Sequence, residues 1–453
     1  MQHKRLFLWS VTASLAGFLF GFDTIVISGA EQKIEEVWNL SSGMHGICMS
    51  AALWGTVLGA LIGGMPAEKF GRRKTLIWIG VLYLLSAIGS GMAPDKYFFI
   101  ISRFIGGIGV GIATIASPMY ISEIAPAGLR GRLAGMFQFN IVFGILVAFL
   151  SNYLIGRYMD ESIAWRWMLG IEALPALIYS LMCIMICESP RWLIVHGGKR
   201  EEGVRVFSEI NPDMSEQELQ SLADSVEESS EIETKPTIGG VKAQKAKFFT
   251  SKLKIPIMLA FLVAFFNQLS GINAILYFAP RIFEWTGLGE SAALLKSVGI
   301  GITNLVFTYV GLYLIDKFGR RTLLYIGSFG YIASLGLCSW AFAVENYAIV
   351  PACIFAFIAA HAVGQGAVIW VLISEIFPNR FRSAGQSLGS FTHWFFAASL
   401  TLVFPKMAET LQPAAIFGFF CFMMILQLVW VKTMVPETKN VSLEEMQKKL
   451  GIQ

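Results

Sequence analysis

The sequence predicts an all-α integral membrane protein, with twelve transmembrane helices in two six-helix halves and a water-exposed helical linker between them. Three observations carry this reading. Residues of the set AVILMFWYC make up 55% of the 453 residues, charged residues only 15%, and mean hydropathy is +0.61. A soluble domain carries roughly a quarter charged residues. Apolar runs long enough to cross a bilayer, which takes about 20 residues, recur along the chain. Short polar motifs from the first half then reappear in the second. A soluble enzyme, a nucleic-acid binder and a secreted disulfide scaffold all fit poorly. The net charge of +4 needs no nucleic acid, because basic residues favour the cytoplasmic loops of membrane proteins.

The first six runs lie near 6–29, 44–66, 75–93, 97–121, 133–156 and 165–187. His3, Lys4 and Arg5 before the first run imitate a signal peptide. No small-residue cleavage site closes the run, so it is expected to remain as a helix. The second six lie near 255–284, 291–315, 322–343, 348–374, 383–405 and 412–434. None alternates as barrel strands would, and backbone in hydrocarbon must bond within its own helix. The domains are therefore expected at 1–187, 188–254, 255–434 and 435–453. Within the linker, Glu201–Asn211 and Ser215–Val226 read as short amphipathic helices, with Ser215 as N-cap and Glu218 three residues on. A looser stretch through Pro236 and Gly239-Gly240 should follow.

Orientation follows from Lys and Arg. With both termini and the linker on one side, that side holds 27 of the 35, the opposite loops hold 7, and Arg103 falls within a span. Both termini are thus expected in the cytoplasm.

Gly71-Arg72-Arg73 recurs as Gly319-Arg320-Arg321, 248 residues later. Ser122-Glu123-Ile124 with Arg130 recurs as Ser374-Glu375-Ile376 with Arg382, 252 later. Glu188 before Ser189-Pro190 is echoed by Glu437 after Pro436, 249 later. Parallel repeats of this kind place a substrate site near mid-membrane, between the halves.

These residues carry a resemblance. Gly71-Arg72-Arg73, Ser189-Pro190-Arg191-Trp192-Leu193, Gln268-Leu269-Ser270-Gly271-Ile272-Asn273 and Val435-Pro436-Glu437-Thr438-Lys439 occur in order. Over nearly its whole length the chain resembles the sugar porters of the major facilitator superfamily. It is most similar to the bacterial proton-coupled symporters of the xylose–proton type, and more distantly to mammalian glucose facilitators.

Asp23 lies inside the first span, and Arg103, inside the fourth, is its natural partner. An intramembrane carboxylate is costly and marks function by default. The residues alone leave two roles open: a permanent structural pair, or one made and broken to bind and release a proton. Proton-coupled members of the family carry Asp at the Asp23 position and facilitators commonly Asn, so the resemblance implies coupling. Glu172, in the sixth span, is a second buried acid that could tune the coupling or bond a neighbouring helix. Glu123, Arg130, Glu188 and Arg191 are expected to face Glu375, Arg382 and Glu437 as a cytoplasmic gate, with Arg72 and Arg320 nearby. A network that forms only when that side closes would bias a two-state equilibrium.

A sugar offers hydroxyls at its edges and C–H groups on its faces, so its pocket needs amides and rings. The spans supply Gln138, Asn267, Gln268, Asn273, Tyr277 and Asn304, with Trp370 after Gly364 and Gly366, and Trp394. Phe20, one turn before Asp23, resembles an aromatic wall. Three residues depart from the family pattern: Asn267 stands where Gln is usual, His361 replaces an aromatic, and His393 replaces the symporter's Gln. The histidines could serve as neutral hydrogen-bonding groups or titrate.

Other features carry no chemistry. The six cysteines (Cys48, Cys183, Cys187, Cys338, Cys353 and Cys421) lie in apolar runs without metal or redox spacing. Gly106 to Gly111 imitates a nucleotide loop, but it lies within a span and reads as small-residue helix packing. No nucleophile–base pair, Walker motif or cofactor motif appears. The expected function is proton-coupled symport of a pentose or hexose by alternating access. The rivals are an uncoupled facilitator, a polyol or inositol carrier, and a sugar sensor on the same fold. The expected partners are sugar, proton and lipid bilayer, with no nucleic acid, cofactor, metal or obligate protein partner. The protein is expected to be a monomer in a bacterial inner membrane.

Overall fold

A computed structural model describes residues 3–126, 129–234 and 248–452. Among these, no strand occurs. Twelve helices are long and apolar enough to cross a membrane. In order they are Arg5–Val37, Ser42–Ile62, Arg72–Gly91, Lys96–Ile124, Gly135–Tyr158, Glu161–Met185, Ser251–Tyr277, Glu290–Phe318, Arg320–Ala343, Tyr347–Ile376, Arg382–Thr410 and Pro413–Met434. They are called spans one to twelve below.

Within the first half, span one packs on span five, two on four, and three on four and six. The second half repeats this with seven on eleven, eight on ten, and nine on ten and twelve. The halves meet along two seams, span two on eleven and five on eight. Gly107 and Gly111 lie directly against span two, at the Ala52 and Thr56 carbonyls, as small-residue packing requires.

Three spans are broken, each with a local cause. Span seven stops at Leu269, turns at Gly271 with φ +87°, and resumes as Ile272–Tyr277. Only glycine adopts that backbone easily, and an added Cβ would sit 2.6 Å from the Phe420 ring. Span ten breaks at Gly364, between Val350–Val363 and Gln365–Ile376. Span six breaks between Gly170 and Ala173. Pro175 lies four residues after Ile171 and has no N–H for its carbonyl. The breaks at Gly271 and Gly364 are buried in protein, where non-helical backbone at membrane depth is tolerated.

Among its described residues the linker holds three α-helices: Pro190–Val195, Arg200–Ile210 and Glu216–Thr234. The first, inside Ser189-Pro190-Arg191, was not expected from periodicity. Glu218 accepts from the Ser215 backbone N–H at 2.7 Å, and the Ser215 hydroxyl accepts from the Glu218 N–H at 3.3 Å. This reciprocal pair begins the third helix, and it holds the Glu218 carboxyl below its usual range. Arg5 pairs with Glu209 at 3.2 Å, so the N-terminal end and the linker share one face. This is the terminal face below. The stretch through Pro236 and Gly239-Gly240 lies outside the described residues.

Candidate functional site

A cavity of about 700 Å³ lies between the halves, within the range of small-molecule sites. Its lining runs from mid-membrane to Glu68, Met119 and Ser383 near the terminal ends of spans two, four and eleven, so it opens toward the terminal face.

Phe20, Gln138, Asn267, Gln268, Asn273, Asn304, His361, Gly366, Trp370, His393 and Trp394 all line it. Span seven's break places Gln268 at its upper end and Asn273 in the next turn. There Asn273 Nδ2 donates to Gln268 Oε1 at 2.6 Å. Gln268 Nε2 donates to Asn267 Oδ1 at 2.9 Å and lies 3.2 Å from the His393 ring nitrogens. The rings of Trp370 and Trp394 flank His393 at 5.3 and 4.8 Å, and Phe20 stands 5.5 Å from Trp394 across the halves. His361 Nδ1 lies 2.7 Å from the Tyr331 hydroxyl, and Asn304 Oδ1 accepts from Thr308. Amides linked side by side in this way keep further donors and acceptors for a polyhydroxyl ligand, while the rings offer apolar faces.

Sequence reasoning missed one row. Ser383, Gln386, Ser387 and Ser390 face the cavity from span eleven, on the same side as the expected His393. Their three- and four-residue spacing is the helical period, and that signal could have found them. Tyr277 does not line the cavity. It is fully buried one turn beyond Asn273, where its hydroxyl shares the electrostatic surroundings of Asp23 and Arg103.

Asp23 and Arg103 form the buried charge pair. Arg103 Nη1 donates to Asp23 Oδ1 at 2.5 Å and Nη2 to the Asp23 carbonyl at 2.8 Å. Both side chains are 1% exposed. Glu172 is fully buried beside them, placed there by the break in span six. A second carboxyl next to a single guanidinium gives the cluster one more acid than it has cations, Arg103 being its sole base.

The terminal face carries the repeated motifs. The Arg72 guanidinium forks onto Glu123 at 2.9 and 2.8 Å. Glu188 accepts from the backbone N–H groups of Arg72 and Arg73 at 2.8 and 3.0 Å. The second half repeats the arrangement. Arg320 binds Glu375 at 3.1 and 2.8 Å, and Glu437 takes the N–H groups of Arg320 and Arg321, each at 3.0 Å. Glu188 and Glu437 thus cap the N-termini of spans three and nine, where the helix dipole favours an anion. Burial pushes the Glu188 carboxyl above its usual range, against the backbone donors and Arg72.

With the cavity open on this side these clusters pair within each half, whereas the expected network across the halves belongs to the closed arrangement. Arg382 lines a recess beside Arg320, Glu375 and Thr438, with no ion pair among the described residues. Arg191 is exposed. The Arg130 side chain lies outside the described residues.

The profile of the Sugar (and other) transporter family matches residues 9–450. The chain is 34% identical over 449 residues to an arabinose-proton symporter of Bacillus subtilis, covering 97% of this chain and 94% of that one. It is 34% identical over 486 residues to a D-xylose-proton symporter of Escherichia coli, covering 98% and 96%. The inward open conformation of the xylose transporter XylE from E. coli superposes with a TM-score of 0.85 at 30% identity, covering 98% and 99%. The chain is therefore a multi-pass membrane protein of the major facilitator fold, and it belongs to the sugar transporter family.

Proposed function

We propose that the protein is a proton-coupled monosaccharide symporter that works by alternating access, caught here with its cavity open to the cytoplasm. The observation that carries this reading is the course of span seven. Its broken helix bears Gln268 and Asn273 in the cavity, and its second part, Ile272–Tyr277, packs on span one, which carries Asp23. A sugar that draws on Gln268 and Asn273 therefore acts on a segment packed against the span that bears Asp23. The names of the relatives, and the resemblance to an inward-open structure, support the same reading.

In this account the amides of Gln138, Asn267, Gln268, Asn273 and Asn304, with His361 and His393, bond the sugar hydroxyls. Phe20, Trp370 and Trp394 pack on its faces, and Gly366 leaves room for the His361 ring. Asp23 carries the coupled proton. Ionised, it pairs with Arg103; protonated, it releases the guanidinium, and Glu172 beside it shifts that balance. On the cytoplasmic side Arg130, Arg191 and Arg382 supply cations that reach the opposite half when that side closes. Arg72, Glu123, Glu188, Arg320, Glu375 and Glu437 hold the helix ends rigid meanwhile. The excess of Lys and Arg on the terminal face supports a cytoplasmic position for both termini; the proposed location is the inner membrane of a bacterium, with a monomer as the working unit.

Purified protein in proteoliposomes tests this. Pentoses, hexoses and polyols are added one at a time without a preset gradient, and the external pH is followed. External alkalinisation with one sugar establishes symport and names the substrate. Counterflow of labelled sugar without proton movement would make the protein a facilitator and the Asp23–Arg103 pair structural.

A further inference from the structure

On the face opposite the termini, four ionisable side chains meet at a place that neither the sugar cavity nor the charge pair uses. Glu31 and Glu35 project from one face of span one, four residues apart. Arg281 comes from the other half, on the short helix Ala279–Glu284 that follows span seven. Its Nε lies 2.6 Å from Glu31 Oε1, and its Nη2 donates to the Glu35 carboxylate. His45 of span two completes the group, with ring nitrogens 3.7 Å from Glu31 Oε1 and 3.6 Å from Glu35 Oε1. Its ring stands edge-on to Phe278 of the second half, centroids 6.1 Å apart. Glu31 is 1% exposed and His45 fully buried, while Arg281 keeps 21%.

Glu31 and His45 are enclosed by protein, while Glu35 and Arg281 border an outer recess. Phe278 packs on Phe404 at 4.6 Å. Span two approaches span eleven so closely at Gly46 that an added Cβ would lie 2.0 Å from the Leu402 carbonyl. A carboxylate as buried as Glu31 is tolerable only while a cation faces it, and the Arg281 that faces it belongs to the other half. Any separation of span one from the Ala279–Glu284 helix would withdraw Arg281 from both carboxylates. The terminal-face clusters pair within their halves, whereas this one bridges them.

We propose that Arg281, Glu31, Glu35 and His45 form a latch across the halves that holds the outer entrance shut in the inward-facing state and sets its population against the outward-facing state. The proposal rests on the alternating-access reading above, but not on the identity of the sugar or on proton coupling.

Hydrogen–deuterium exchange of the full-length protein in lipid nanodiscs tests it, with Arg281→Gln, Glu31→Gln and Arg281→Lys beside the wild type and no sugar present. Neutralising Arg281 or Glu31 should raise exchange across 26–37 and 272–286 by roughly a hundredfold or more, the scale of breaking a largely buried pair. It should slow exchange around Thr114–Met119 and Ser383–Ser390 as the cytoplasmic side closes. Arg281→Lys keeps the charge and should shift less. Unchanged exchange on both faces would overturn the latch, as would faster exchange on both faces, which signals general loosening. Should Arg281→Gln fail to fold, Glu35→Gln provides the same readout with a milder change. A shifted latch in a protein that shows no proton movement would leave this inference standing and sink the symport reading alone.

Discussion

Replacing Gly71 or Gly319 by alanine should unfasten the linker and the tail from the spans they clip. Gly71 has φ +94° and ψ 162°, and Gly319 has φ +88° and ψ 169°. That region is open essentially to glycine alone, and a side chain there costs about 1–3 kcal/mol. The added Cβ would also lie 2.3 Å from Glu188 Oε2 in the first half and 2.6 Å from Glu437 Oε2 in the second. Each carboxylate must retreat, and Glu188 then loses bonds from the N–H groups of Arg72, Arg73 and Ser189, now 2.8 to 3.0 Å long. Losing even one such bond to a charged group costs roughly 1.5–3 kcal/mol. Strain and one lost bond together give about 2.5–6 kcal/mol, much of it local. Glu188→Gln keeps the shape and loses the charge, so it should cost less. The assays are thermal unfolding in detergent and hydrogen exchange across 188–210 and 435–450. Melting temperatures and exchange like the wild type in both alanine variants would refute the argument. A large effect in one half and none in the other would refute the claim that the two motifs do the same job.

The cavity yields further expectations. His393→Gln keeps a partner for Gln268 and should hold the counterflow KM within a few-fold. His393→Ala leaves that amide without its ring and should raise KM about tenfold, the scale of one net hydrogen bond of about 1 kcal/mol plus lost ring contact. Gln386→Ala removes the N–H that holds the Trp370 carbonyl at 3.0 Å and should raise KM with little change in thermal stability. Arg382→Ala breaks no ion pair in the inward-facing state, so melting should stay near wild type while net transport slows, as read by uptake against melting temperature.

Much of this architecture is legible in the sequence because the bilayer imposes it. Twelve apolar runs, a repeated Gly-Arg-Arg and a repeated Ser-Glu-Ile are visible without coordinates, since each answers a length or backbone constraint. The turn at Gly271 and the break at Gly364 are marked by their glycines. The break at Ile171–Glu172 is marked only by Pro175, which an apolar run conceals, yet it is what sets Glu172 beside Asp23. Cavity residues with amide or indole groups stand out because such groups are rare in spans. The serine row of span eleven does not, because serines also bond back to their own helix, as Ser399 does to Phe395. Pairing across long distances is the least legible. Arg281 reads as one of a few loop cations until the fold brings it to Glu31, and the terminal clusters, read as partners across the closed halves, pair at home while that side is open.

The central claim is that Asp23 couples a proton to sugar movement, and Asp23→Asn in proteoliposomes tests it most directly. Accumulation driven by an imposed proton gradient is measured beside counterflow without one. The account predicts that counterflow survives within a few-fold, because the cavity of Gln268, Asn273 and Trp370 is untouched, while accumulation falls to equality of inner and outer sugar. Accumulation by the variant to the wild-type level would contradict it and leave the Asp23–Arg103 pair as a fixed strut.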